Sequence, residues 1–412
     1  MSEKQYQIKT KEDFFQFVCD NWKSLNQYID DKLPLEHTPI YTSVDIRESA
    51  TKIAPIDNNL YPAGFNNVCQ LDLDSASQNF SDFIERIKPE TKSILLIPES
   101  HTKNLFYLDH LVFLKKALSD AGFDVTFGSP NKDLFESSQS HLELISHSKL
   151  SIDLHLTDIK DGEFTIDGKT FDLVVLNNDQ SSPLNLPWPE IKTPVHPSPL
   201  MGWTKRMKHT HFLHYKEVVD EFSEKFSINP DILQAKFRMG HDINFTEKSG
   251  FEKIASEAKE LWADLPSETT LFIKASQGTY GMGIMVAKNE EEILNMNKKT
   301  RHKMNAGKNA LKFTSVIIQE GIETILQYEN MPAEIAIYLV GGKSVGGFMR
   351  TNTKKDNISN LNSQGMVFRK FCISELKGGQ DHTIKEAAYS LVARLSTLAA
   401  AKEVEEMKKE NL

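Results

Sequence analysis

Residues 92–129 constrain the fold more than any other stretch. "KSILLIPES" is an apolar run of strand length, "NLFYLDHLVFLKKALSDAG" repeats apolar residues at helical spacing up to Gly122, and "FDVTFGS" is a second strand-length run. Short buried strand, amphipathic helix and short buried strand make a βαβ unit, with the two strands parallel because the helix crosses over between them. Strand-like runs follow at "LSIDLHL" and "DLVVLNNDQS", with a hairpin-like "GEFTIDGKTF" between them. Open α/β sheets bind ligands beyond the carboxyl ends of their strands. Pro98 to Asn104 and Asn177 to Ser181 are therefore expected to border a crevice.

The flanking regions read differently. The first ~40 residues repeat apolar positions at helical steps in "KEDFFQFVCDNWKSLNQYIDDKL". Residues 34–70 are polar and rich in turn formers with little periodicity, which predicts a long loop that is functional or disordered and not a simple connection. Beyond residue 200, "HPSPLMGWTKRMKHTHFLHYKEVVDEFSEKF" leads from a proline-rich connector into helix, and "EKIASEAKELWADLP" is helical again. The chain then turns to antiparallel-looking strands, and "IKEAAYSLVARLSTLAAAKEVEEMKKEN" closes it as one long helix.

With 412 residues, 39% of them hydrophobic, the chain can bury a sizeable core in two or three domains. A net charge of -9 argues against nucleic acid or an anionic membrane as partner, since both need a concentrated cationic face. The N-terminus is charged throughout, without an apolar stretch of signal-peptide length, so a soluble cytoplasmic protein is expected. Cys19, Cys69 and Cys372 are widely separated and show no CxxC spacing; reduced, packed thiols are expected.

Chemistry concentrates in "LFIKASQGTYGMGIMVAK". Contact with a polyphosphate needs backbone N–H groups unobstructed by Cβ atoms and a nearby cation. Lys274 precedes the glycines instead of following them, so this is neither a Walker loop nor a Rossmann fingerprint. It reads as strand, glycine flap, strand, with Lys274, Gly278, Tyr280, Gly281 and Gly283 as candidates, although on spacing alone a plain hairpin serves as well. Downstream, "SVIIQEGIE" is a buried strand ending in Gln319 and Glu320, suited to reading an adenine or ribose. A hairpin turned by Gly341 and Gly342 ends in Arg350, and "SNLNSQG" follows. Lys205, Arg206 and Lys208 form a basic patch ahead of the flap. His209, His211 and His214 lack an accompanying acidic or cysteine ligand and are expected on a helix surface or in a core.

This ordered set resembles the ATP-grasp ligases. "KASQGTYGMGIM", together with "KIAPIDNNLYPAGFNN", "LLIPESHTKNLFYLDH" and "LNNDQS", is similar to the proteobacterial glutamate-cysteine ligase family, and the similarity spreads from about residue 40 to 400. The resemblance implies an α/β (α+β overall) fold: an N-terminal helical segment (1–40), a Rossmann-like pre-ATP-grasp and substrate domain (41–200), and an ATP-grasp-like nucleotide domain (201–412). It implies a ligase that uses ATP and Mg²⁺ to join glutamate to cysteine through an acyl phosphate, in the first step of glutathione synthesis. Lys274 and Lys208 are then expected at the nucleotide phosphates and Arg350 at the transferred phosphate or the acyl-phosphate oxyanion, since a guanidinium matches phosphate bidentately. Arg47 and Lys52 are candidates for a substrate carboxylate, and Asp45, Asp57 and Asn59 for its ammonium group, with Asn66 and Asn67 nearby.

The chain departs from the superfamily in lacking a late strand ending in E-x-N, and in carrying Ala336 where many relatives have arginine. The metal shell is accordingly expected from Glu320, Glu334 and Asn360 or Asn362, as hard oxygen donors. Two rivals stand beside this reading: a ligase of the same type with another acceptor amine, and a nucleotide-binding protein without ligase activity. Homo-oligomer formation is left open.

Overall fold

The βαβ unit forms as the sequence predicts. Strands Ser93–Pro98 and Asp124–Ser129 run parallel on either side of helix Leu105–Asp120, with Ser93 opposite Asp124. The computed structural model describes residues 6–100, 103–277, 283–296, 313–363, 365–371 and 381–410. Ser151–Leu156, Leu173–Asn177 and Val195–His196 extend the parallel sheet, and His141–Ile145 closes one edge antiparallel. Period-two alternation buries both faces. Ile94, Leu96 and Val175 pack on helices Gln70–Ile87 and Leu105–Asp120, while Leu95, Ile97 and Val174 meet Phe164 and Phe171.

A second sheet is antiparallel, in the order Met366–Phe371, Lys343–Asn352, Met331–Val340, Tyr41–Glu48 and Ile53–Asn59. Its last two strands lie inside the stretch expected to be a loop, and all eight residues of Tyr41–Glu48 are buried. The polar residues that hide the alternation are themselves buried, as partners of other charges. Strand pairing therefore joins residues 41–59 to residues 331–371, across the divisions drawn along the chain. The tight turn between the two long strands uses Gly341 and Gly342, both at positive φ (53° and 78°), as a two-residue hairpin of this hand requires.

One face of this sheet, with Val44, Ile46, Ile335, Ile337 and Leu339, packs on helices Lys11–Asp20, Trp22–Lys32, Lys208–Phe226 and Asp381–Glu410. The other face carries Tyr41, Tyr338, Val340 and Phe348 toward the parallel sheet and its helices. A third sheet, Phe237–Gly240, Val316–Glu320, Leu271–Ala275 and Ile284–Ala287, is antiparallel and rests on helix Lys248–Ala263. The architecture is thus mixed α/β. None of the described helices is long and apolar enough to cross a membrane.

Helix Asp381–Glu410 is buried almost all round between Ala387 and Ala401, which marks a central helix, not a surface one. Glu403 near its end holds Arg206 through two 3.0 Å bonds and lies 3.3 Å from His211. Arg206 in turn donates to the Asn58 carbonyl at 2.8 Å. Burial works against the Glu403 carboxylate, but Arg206 and His211 outweigh it and bring its pKa from 4.5 down to about 2. A carboxylate shifted down stabilises the fold fully above its unfolded pKa, and that contribution is lost as pH falls toward the folded value. Glu403→Gln should therefore cost about 3 kcal/mol at neutral pH. In denaturant titrations the variant and the parent protein should converge between pH 4.5 and about 2; equal stability at pH 7 would count against the pairing.

Candidate active site

The three sheets meet around a cavity of about 860 Å³, a size that holds a small-molecule ligand. Its floor is one face of the antiparallel sheet. Alternation points Ser43, Asp45 and Arg47 from one strand, Glu334, Ala336 and Tyr338 from the next, and Phe348 and Arg350 from the third toward the same space. Ala336 stands in register with Asp45 and Phe348 and leaves room there.

The floor charges are tied together. Arg350 meets Asp45 at 3.1 Å and Glu334, its direct cross-strand neighbour, at 2.6 Å. The other Glu334 oxygen accepts from Arg47 Nε at 2.8 Å, and Arg47 also donates to the Ser359 carbonyl at 2.6 Å. Burial raises the Asp45 carboxyl, with Arg350 opposing and Glu334 and Asp57 reinforcing the shift. Burial likewise acts on Glu334, yet Arg47 and Arg350 outweigh it and hold that carboxyl low.

A wall of the cavity comes from the third sheet and the start of helix Lys208–Phe226. Lys274, on a central strand, donates to the Ile56 carbonyl and to Gln319 Oε1, both at 2.8 Å. Lys208 meets Asp57 at 2.6 Å with its ammonium 4.5 Å from the centre of the Trp203 ring. Burial lowers the Lys274 ammonium to about 8, Asp57 opposes the shift and Lys208 adds to it. Glu320 accepts from Lys52 at 2.7 Å and from the Lys236 N–H at 2.9 Å.

Asp45, Arg47, Asp57, Asn59, Asn66, Asn67, Lys208, Lys274, Gln319, Glu320, Glu334, Arg350, Asn360 and Asn362 all border this one cavity. Lys52 stands behind it, reaching the lining through Glu320. Gly283 turns the chain at a φ of 67° beside Ala275, outside the lining. Gly278, Tyr280 and Gly281 of the flap lie outside the described residues, as does Cys372. The three histidines have separate partners: Ser276 for His209, Ser396 and Glu403 for His211, and Glu406 for His214.

The sequence marks the segments of Glu99 and Asp179, at the carboxyl ends of two parallel strands, but not these residues individually. Behind them Asn177 uses its whole amide: it accepts from the Tyr107 hydroxyl at 2.6 Å and from His110 at 3.2 Å, and donates to Tyr41 and the Pro62 carbonyl. Trp203 and Tyr338 carry no signal beyond being aromatic. Yet Trp203 backs Lys208, and the Tyr338 hydroxyl holds the Ala63 carbonyl.

Three buried polar atoms bordering the cavity have no hydrogen-bond partner among the described residues: Gln319 Nε2, Arg350 Nε and Asn66 Oδ1. Such atoms are costly unless a ligand or water completes them. Lys274 is bonded to the Gln319 amide, and Lys208 and Arg350 border the same cavity, so the residues fit a polyphosphate. A cation fits in another way. Oxygen donors border the cavity, but Glu320 and Glu334 are both ion-paired, and no group of three or more His, Cys, Asp or Glu among the described residues is arranged to hold a metal. A hard cation would thus enter with phosphate oxygens as its main ligands.

A lysine ionising near 8 is protonated below that pH and loses its charge above it. Inorganic tripolyphosphate, followed by calorimetry, should bind more weakly as pH rises through about 8, and Lys274→Met should remove that step. A flat profile between neutral and alkaline pH in the parent protein would exclude contact with Lys274.

A family model described as glutamate-cysteine ligase matches residues 16–404. A crystal structure from Methylobacillus flagellatus KT, of a protein carrying the provisional name gamma-glutamylcysteine synthetase, is similar with a TM-score of 0.84. It shares 30% identity over 95% of this chain and 96% of that one. D-alanyl-alanine synthetase A from Vibrio cholerae gives 11% identity over 74% and 79% of the two chains, at a TM-score of 0.36, a likeness too slight to carry weight. No curated protein sequence matches. With the family model spanning nearly the whole sequence and a relative at 30% identity along its length, the chain belongs to the glutamate-cysteine ligase family and is a ligase.

Proposed function

We propose that the protein uses ATP to activate the γ-carboxylate of glutamate and joins it to the amine of cysteine, giving γ-glutamylcysteine in the first step of glutathione biosynthesis, in the cytoplasm. The observation that carries the reading is the placement of unpartnered donors, Gln319 Nε2 and Arg350 Nε, beside Lys274 and Lys208 in one cavity. That is a surface for phosphate next to a carboxylate.

In this reading the γ-carboxylate oxygen attacks the terminal phosphorus of ATP and the bond to the bridging oxygen breaks, releasing ADP. The amine nitrogen of cysteine then attacks the acyl carbon, phosphate leaves with the C–O electron pair, and the nitrogen loses a proton. Positioning and charge neutralisation do most of the work in such transfers. Lys274 and Lys208 hold the phosphates, with Gln319 Nε2 beside Lys274, while the strand end at Glu320 faces the base and ribose. Arg350 meets the transferred phosphate, and the Glu334 and Asp45 carboxylates fix its guanidinium in place. Mg²⁺ would supply neutralisation of the β- and γ-phosphates, with Glu320, Glu334, Asn360 and Asn362 as oxygen donors. The late segment without E-x-N then matters less, because donors from earlier strands reach the same space.

The test is ADP release with ATP, Mg²⁺, glutamate and individual amines, together with the mass of the product. Turnover that requires both glutamate and cysteine and yields a γ-linked dipeptide is expected. ADP release with a different amine would assign another acceptor, and ATP binding with no turnover on any pair would overturn the reading. Lys274→Ala should weaken ATP binding and turnover by about tenfold or more, the scale of a lost charge-assisted phosphate contact. Unchanged kinetics would remove Lys274 from the phosphate site.

A further inference from the structure

Residues 61–67 border the cavity except at Phe65, which is 1% exposed and sets its ring edge-on to Tyr338. The turn they form stands on the sheet floor. A Cβ on Gly64, which takes a φ of 92°, would lie 3.2 Å from the Tyr338 hydroxyl and 3.4 Å from the Phe348 ring, on the strand that carries Arg350. Four successive residues of this turn have their backbone tied. The Pro62 carbonyl accepts from Asn177 Nδ2 at 3.1 Å, the Ala63 carbonyl from the Tyr338 hydroxyl, and the Gly64 carbonyl from the Asn67 N–H at 2.9 Å and its side-chain amide at 3.1 Å. The Phe65 N–H donates to His110 Nδ1 at 3.1 Å. The next residue, Asn66, carries the buried Oδ1 that has no partner among the described residues. An acceptor without a partner, held on a fixed backbone at a cavity wall, calls for a donor brought by the ligand.

His110 is 1% exposed and does not itself border the cavity. Accepting from Phe65 at Nδ1 leaves its ring proton on Nε2, which then donates to Asn177 Oδ1 at 3.2 Å. Tyr107, three residues earlier on the same helix face, donates to the same oxygen at 2.6 Å. The Asn177 amide is thereby oriented, with Nδ2 left for Tyr41 and the Pro62 carbonyl. Burial holds the imidazole neutral, bringing its pKa down to about 4 against the opposing bond to Asn177. At neutral pH the ring thus offers one acceptor and one donor, as its two neighbours require.

We infer that His110 is a positioning residue for the ligation: through Phe65 and Asn177 it sets the turn and so presents Asn66 Oδ1 as the acceptor for the amino group of an amino-acid substrate. This rests on the ligase reading above. In that reading the groups assigned to the nucleotide, Lys274, Gln319 and Glu320, come from the third sheet, whereas the turn stands on the floor that carries Arg350, where a carboxylate is activated. An amino acid therefore fits the Asn66 oxygen better than the nucleotide does.

Kinetics and one spectrum test this with the full-length protein. Asn66→Leu should raise the KM of glutamate or of cysteine by about tenfold, the scale of a lost charge-assisted hydrogen bond, and leave the ATP KM unchanged. His110→Phe keeps a ring without either polar atom. It should raise the same KM by a similar factor on its own, but by less than about twofold when Asn66 is already leucine, since it acts through that residue. His110→Asn, whose amide oxygen reaches the position of Nδ1, should recover most of the loss. The nitrogen chemical shifts of His110 in the parent protein should show the proton on Nε2 and none on Nδ1, a measurement that does not depend on the folding of any variant. Unchanged KM values for both amino acids in Asn66→Leu, a rise confined to the ATP KM, an equal effect of His110→Phe in both backgrounds, or a proton on Nδ1 would each overturn the inference and leave the ligase reading standing. A parent protein that turns over no pair of amino acids overturns both together.

Discussion

Four charges buried on one face of a sheet set the terms for everything around them. Asp45, Arg47, Glu334 and Arg350 are each less than a tenth exposed, and a charge taken out of water is tolerated only when paired and hydrogen-bonded. Glu334 is the hinge of the arrangement, giving one oxygen to Arg47 and the other to Arg350. The register of three strands follows from it. A slip of one residue would turn every charge to the opposite face, against the helices, and bring the Ile335, Ile337 and Leu339 row into the cavity.

The same burial explains what the sequence did and did not disclose. The βαβ unit, the strands flanking the glycine flap, the Gly341–Gly342 turn and the long final helix were legible, because in each the apolar period is clean. The strands at 41–59 were not. Their cavity face carries Asp45 and Arg47, both buried, and Asp57 and Asn59, both half-buried, so polar residues stand where a sheet face turned inward would show apolar ones, and the stretch reads as a loop. The candidate site was legible as residue types in order, a lysine before glycines, QE at a strand end, an arginine closing a hairpin, and these do converge on one cavity. Pairings were not legible, since Asp45 is 305 residues from Arg350 and Asp57 is 151 from Lys208. Nothing local shows which carboxylate meets which cation.

The cavity therefore holds two populations of polar groups with different duties. The paired ones make a rigid floor, whose guanidinium and carboxylate planes are fixed before any ligand arrives, which is the condition for electrostatic preorganisation. The unpaired ones, and a lysine whose ammonium burial brings down to about 8, are the groups left for a ligand to complete.

Helix Asp381–Glu410 has a consequence for how such a molecule is made. Its Arg394 hydrogen-bonds the Asn26 carbonyl across 368 residues, and its Glu403 neutralises Arg206 across 197. A ribosome releases the strands at 41–59 long before it releases the helix that covers them. Until then Val44 and Ile46 lack much of their apolar cover, and Arg206, beside the lysine at the cavity wall, lacks its counter-ion. Contacts this distant along the chain form slowly, and exposed apolar surface in the interim invites association. The cavity thus acquires its final electrostatics only when the last helix docks.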